Sequence, residues 1–92
     1  MIRNIKHRRL KKYFEKGDVS GLPAQYLKKI RLVLAVLDTV TFVEMINIPG
    51  GRLHPLTGDR KGYWSLTISR NWRITFRFEE EDAFDVDFED YH

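Results

Sequence analysis

From Tyr63 onward the chain alternates apolar and polar residues in three consecutive stretches, and no other feature restricts the fold as strongly. In YWSLTIS, Trp64, Leu66 and Ile68 alternate with Tyr63, Ser65, Thr67 and Ser69. After a turn at Arg70 and Asn71, WRITFRF sets Trp72, Ile74, Phe76 and Phe78 against Arg73, Thr75 and Arg77. A polar hairpin of Glu79, Glu80, Glu81 and Asp82 leads into AFDVDFEDYH, where Phe84, Val86 and Phe88 alternate with Asp85, Asp87 and Glu89. Successive side chains of a strand point to opposite faces, so each stretch has one face for a core and one for solvent. Three of them in succession predict an antiparallel meander with one buried face.

That face needs a cover, and the first forty residues supply it. His7 to Lys16 reads as a basic helix with a thin apolar stripe of Leu10, Tyr13 and Phe14, stopping before Gly17. A second helix begins at SGLPAQ, where the fixed φ of Pro23 suits a first helical turn. Leu27, Ile30, Val33, Leu34 and Leu37 then recur at helical spacing, Lys28, Lys29 and Arg31 fall off the stripe, and the helix ends around Asp38 and Thr39. MIRNI reads as a short edge strand. Residues 41–59 contain Pro49, Gly50, Gly51, Pro55 and Gly58 and read as turn, with a short extended piece at 52–56. The expected fold class is α+β, with two N-terminal helices packed on one face of a twisted antiparallel sheet. Ninety-two residues allow one domain, 1–92, with a single modest core.

The chain has no cysteine, so disulfides and thiolate metal sites are excluded, and a reducing compartment fits. The basic start lacks the apolar stretch of a signal peptide, and no run approaches the length of a membrane span. A cytoplasmic protein without membrane contact is the expectation. A net charge of +3 hides a division: all 16 Lys and Arg lie in residues 1–77 with 5 acids, and 8 acids crowd into residues 78–92. Such asymmetry points either to a polyanionic partner, RNA or DNA foremost, or to acids folding back on cations of the same sheet.

Cutting RNA without a metal needs a base for the 2′-hydroxyl proton, an acid for the leaving 5′-oxygen, and a cation for the charged transition state. The chain has three histidines. His7, among Lys6, Arg8 and Arg9, reads as solvated charge. His54 in GRLHPLTGD precedes Pro55, which restricts its backbone. His92 follows Tyr91, which alternation places on the polar face of the last strand. Arg73 and Arg77 suit phosphate or cross-strand pairing with Asp85 or Asp87. Tyr63 lies on the same polar face, whereas Trp64 and Trp72 read as core. No phosphate-cradling glycine loop, HExxH or nucleophile elbow is present, so no metal or cofactor is expected.

Taken as a set, GLPAQYLKKIRLVLAVLD, RLHPLTGDRKGYWSLTIS, NWRITFRF and DVDFEDYH resemble the HigB-type toxins of the RelE/ParE superfamily over essentially the whole chain. The resemblance implies a microbial-ribonuclease-like fold and a ribosome-dependent endoribonuclease that cleaves mRNA during translation. It also implies a helix-turn-helix antitoxin of HigA type, with operator DNA reached only through that antitoxin. Carried onto matching positions, the family's catalytic site is His54, Arg73, Asp90, Tyr91 and His92. The histidines would be an acid/base or phosphate-orienting pair, Arg73 the transition-state cation, Tyr91 a stacking or proton-positioning group, and Asp90 an orienter. Contacts to RNA and the ribosome would come from Arg8, Arg9, Lys11, Lys12, Arg60, Lys61, Tyr63 and Arg77. Close relatives often carry lysine where this chain has Thr57, so Arg60 or Lys61 would have to supply that charge. A member of the same superfamily that inhibits a topoisomerase, or that serves only as an antitoxin-binding co-repressor module, is the alternative.

Overall fold

The computed structural model describes residues 1–90, so the expectations placed on Tyr91 and His92 lie outside the described residues. The alternating stretches form β2 (Tyr63–Thr67), β3 (Trp72–Glu79) and β4 (Asp82–Asp90), and a two-residue strand β1 (His54–Pro55) precedes them. The four lie side by side in chain order, each pair antiparallel, with β1 inside the extended piece expected at 52–56. The turn between β2 and β3 is wider than Arg70 and Asn71 alone. Ile68 and Ser69 have already left the ladder, their N–H groups both donating to the Trp72 carbonyl at 2.9 and 3.0 Å.

Helices α1 (Arg8–Lys16) and α2 (Leu27–Thr39) cover the apolar face. α1 stops at Gly17, whose φ of 72° lets its N–H close back on the Tyr13 carbonyl at 2.9 Å. Leu10 is fully buried, but Phe14 is 38 % exposed, facing the groove between the helices with Val19 and Leu34. The stripe is therefore one residue narrower than its spacing suggests. Ile30, Val33, Leu34 and Leu37 of α2 are buried as expected. Pro23 is not in the first α-turn: it has an extended ψ of 120° and leads a 3-10 turn, Ala24–Tyr26, that runs into α2. Its ring sets φ and leaves ψ open, and the 3-10 turn keeps the Pro23 carbonyl bonded to the Tyr26 N–H at 3.0 Å.

The first residues run parallel to β4 and bridge it at Ile2 with Ala83 and at Ile5 with Val86, so MIRNI is an edge as expected but makes isolated bridges rather than a strand. The Ile2 N–H donates to Asp38 Oδ1 at 2.9 Å, tying this edge to the end of α2. Between Thr75 and Arg77 the β3–β4 register shifts by one residue. Asp85, with φ of 54°, is part of a bulge in which two β4 residues oppose Phe76. The bulge reverses the expected alternation at its head. Ala83 is fully buried, and Phe84 pairs with Arg77 on the polar face instead of entering the core. The core on the other face joins Leu66, Ile74, Phe76, Val86 and Phe88 to Leu10 and the α2 stripe.

Candidate active site

Because paired residues of neighbouring strands share a face, the register lays out the polar side in rows. One row is His54, Ser65, Thr75 and Asp87, and the next is Thr67, Arg73 and Glu89. A third is Tyr63, Arg77 and Phe84. His54 and Arg73 thus face the same way, two strands and two residues apart, which strand spacing converts to roughly 12 Å between their Cα atoms. That leaves side chains of this length room for one phosphodiester between them. A cleft of about 380 Å³ lies there, its walls including His54, Ser65, Thr67 and Arg73, with Arg52 and Arg70 among its lining.

His54 is half-buried, and its Nδ1 lies 2.9 Å from the Arg52 carbonyl oxygen. A carbonyl only accepts, so Nδ1 carries the hydrogen in this contact and the proton-exchanging nitrogen is Nε2 on the far edge of the ring. Arg52 holds a φ of 48°, a left-handed backbone uncommon for a residue with a side chain, and in that conformation it presents its carbonyl to the ring. Ser65, directly across from His54, has its Oγ buried without a hydrogen-bond partner among the described residues.

The polar face is not open in the middle. A 3-10 turn, Gly58–Arg60, sends Arg60 across the sheet, where Nη1 donates to Glu89 Oε1 at 2.9 Å and Nη2 to Glu89 Oε2. Arg60 Nη2 also donates to Thr75 Oγ1 at 3.2 Å, and its Cζ stands 5.7 Å from the centre of the Tyr63 ring. Thr75, fully buried beneath, donates its hydroxyl hydrogen to Glu89 Oε2. Arg73 Nη2 lies 3.6 Å from Glu89 Oε1. The Arg60 hydrogen bonds hold the Glu89 carboxyl down at a pKa of about 2; partial burial opposes this, while Thr75 and the charges of Arg60 and Arg73 assist.

Arg60, one of the two residues expected to supply charge in place of Thr57, is therefore engaged by an internal anion. Arg73 pairs with Glu89 rather than with Asp85 or Asp87. Arg77 is engaged by Glu79 and by Asp85 at 3.4 Å, and lies 4.7 Å over the Phe84 ring. Tyr63 donates its hydroxyl hydrogen to Asp85 at 2.9 Å. Tyr63 and Arg77 thus belong to a second network, on the far side of Arg60 from Arg73. Lys61 is exposed on the loop before β2. Asp90 pairs with Trp72, and alternation puts it on the opposite face from Glu89 and Arg73. Arg8, Arg9 and Lys11 are exposed and Lys12 is half-buried, all on α1 and so on the other side of the sheet from the cleft. His7 is not solvated charge: its Nδ1 caps α1 by accepting the Leu10 N–H at 3.1 Å, and its ring meets Phe88 edge-on at 5.6 Å.

Arg52, Arg70 and Glu89 escaped the sequence reading as site residues. Glu89 was within its reach, because the same count that places Arg73 on the polar strip places Glu89 there; Arg52 lies in irregular backbone just before β1 and Arg70 in the bend between β2 and β3, whose paths no periodicity reports. Among the described residues, no group of three histidines or carboxylates converges to hold a metal, and no helix is long and apolar enough to cross a membrane.

A family model described as RelE-like toxin of type II toxin-antitoxin system HigB matches residues 3–92. The chain is 50% identical over all 92 residues to the protein named Endoribonuclease HigB from Proteus vulgaris, covering 100% of both chains. Among solved structures, a YafQ mutant from E. coli superposes with a TM-score of 0.61 at 14% identity, covering 96% of this chain and 92% of that one. The E. coli DinJ-YafQ toxin-antitoxin complex gives 0.53 at 15% identity, covering 96% and 91%. A YoeB/ParE toxin from Agrobacterium tumefaciens gives 0.58 at 24% identity, covering 77% and 78%.

Proposed function

The chain belongs to the HigB-like family of RelE-like toxins of type II toxin–antitoxin systems, and from that membership and the cleft together we propose that it is a metal-independent endoribonuclease acting on translated mRNA. As such a toxin it is one half of a pair whose other half is an antitoxin. The observation that carries the nuclease reading is the shared cleft of His54 and Arg73, with a ring nitrogen committed to a backbone carbonyl and its opposite nitrogen left to exchange a proton.

In this reaction a base takes the proton of the 2′-hydroxyl and the 2′-oxygen attacks the adjacent phosphorus. A 2′,3′-cyclic phosphate forms, and the 5′-oxygen leaves with a proton from an acid. His54 is one member of the acid/base pair. Arg73 binds the non-bridging oxygens as negative charge builds on them, its planar guanidinium matching two oxygens at once. His92 is assigned as the other acid/base member and Tyr91 as the group that stacks on or orients the substrate, on the strength of the family pattern DYH. Asp90 is assigned an orienting part from the helix-bearing face. Arg52 and Arg70, at the cleft, take the phosphate-binding part that Thr57 leaves unfilled.

The cations of α1 face away from the cleft, so their proposed ligand is ribosomal RNA, a surface broad enough to reach both sides of a molecule 31 × 27 × 25 Å across. The antitoxin is proposed to be a helix-turn-helix protein of HigA type that brings the pair to operator DNA, and the site of action is the cytoplasm. Purified protein added to a translating extract, followed by mapping of mRNA 5′ ends, is the test. New 5′ ends inside translated messages, lost in His54→Ala, are expected. An arrest of translation without new ends would refute the nuclease reading.

A further inference from the structure

We propose that Glu89 is the positioning residue of the cleft: its carboxylate holds the Arg73 guanidinium in register for the phosphate while strapping Arg60 across the sheet. This rests on the reading that Arg73 neutralises the transition state. The register sets Glu89 directly opposite Arg73 on β3 and β4. One oxygen, Oε1, takes Arg60 Nη1 at 2.9 Å and stands 3.6 Å from Arg73 Nη2. The other, Oε2, takes Arg60 Nη2 and the Thr75 hydroxyl. The side chains of Arg73 and Glu89 are only 20% and 22% exposed, so this pair is more shielded from water than a surface ion pair.

A long arginine side chain gives up rotamer freedom when it must meet a phosphate in one geometry. A carboxylate that is itself locked by Arg60 and by a fully buried threonine removes that freedom before substrate arrives. Asp90, next along the chain, faces the other side of the sheet and so does not share this task. The Arg60 strap has a second effect, because it pins the loop that follows His54 and Pro55 down onto β4. Glu89 thereby joins the elements carrying two cleft residues through one side chain.

The test is a double-mutant cycle on cleavage of a defined mRNA in a translating extract, with thermal unfolding recorded for every variant. Glu89→Gln keeps the shape and removes the charge. The expected result is a fall in kcat of about 10- to 100-fold, as for a misplaced catalytic group, with KM changed by less than about threefold. In an Arg73→Ala background the same substitution should cause a much smaller loss, because Glu89 acts on the phosphate through Arg73 and only the Arg60 strap is left to loosen. Losses that multiply in the double variant, or an unchanged kcat in Glu89→Gln, would overturn the proposal. Full cleavage by Arg73→Ala alone would instead sink the reading of Arg73 on which it rests. Should Glu89→Gln lose cooperative unfolding, Glu89→Asp, which retains the charge on a shorter arm, runs the same cycle, with a smaller loss that must again shrink markedly without Arg73.

Discussion

A carboxylate pressed between two guanidinium groups and a hydroxyl responds to acid differently from one in water, and Glu89 carries that difference into stability. Its pKa falls from 4.5 to about 2 on folding, so the folded state binds its proton less readily than the unfolded chain. The stabilisation from this group is fully present above pH 4.5 and is lost as pH falls toward 2. Thermal melts across that window should show the native chain losing more stability than Glu89→Gln, and parallel curves would contradict the assignment. Arg73→Lys tests geometry at the same spot. A lysine keeps the charge but offers a single point instead of a planar fork, so cleavage should drop by about one to two orders of magnitude with the fold retained.

At the scale of elements, two local devices set which side chains reach which face. The first is the His7 cap: His7→Ala should cost about 1 kcal/mol, read as a fall of roughly 4–8 °C in Tm, and His7→Asn should recover the cap while losing the ring contact with Phe88. The second is the bulge. Asp85 accepts hydrogen bonds from Asn4 at 3.0 Å and Tyr63 at 2.9 Å, and its own N–H, turned out of the ladder, donates to Asn4 Oδ1 at 2.9 Å. Asp85→Ala removes these acceptors and leaves a residue without local polar compensation in a left-handed conformation; a loss of about 2 kcal/mol in chemical denaturation is expected. Strand existence was legible in the alternation, and so was the membership of β2 and β3 on each face. The bulge was not, because a one-residue slip leaves no mark on a pattern that has apolar residues at both Ala83 and Phe84.

For the molecule as a whole, the charge division has two outcomes at once. Acids of the last two strands fold back on cations: Glu79 on Arg77, Asp82 on Arg3, Asp85 on Arg77, and Glu89 on Arg60 and Arg73. None of Arg8, Arg9, Lys11 or Lys12 has a carboxylate within ion-pair distance among the described residues, and α1 remains a basic surface. Reversing Arg8, Lys11 and Lys12 to glutamate should weaken ribosome binding and reduce the slope of its salt dependence, each lost phosphate contact lowering that slope by about 0.7 to 0.9. An unchanged slope would remove α1 from the RNA-binding surface.

Alternation and helical spacing alone determined the α+β class, the meander, the α2 stripe and the common face of Tyr63, Arg73 and Arg77, because period and propensity act over neighbours in the chain; the place of His54 on that face comes from its pairing with Ser65. Which of these residues work together was decided only by tertiary structure. A turn between β1 and β2 carries Arg60 over the sheet to Glu89, a separation of 29 residues that no local pattern records. That crossing engages an expected phosphate ligand, divides the polar face, and leaves His54 and Arg73 sharing one cleft with Arg52 and Arg70.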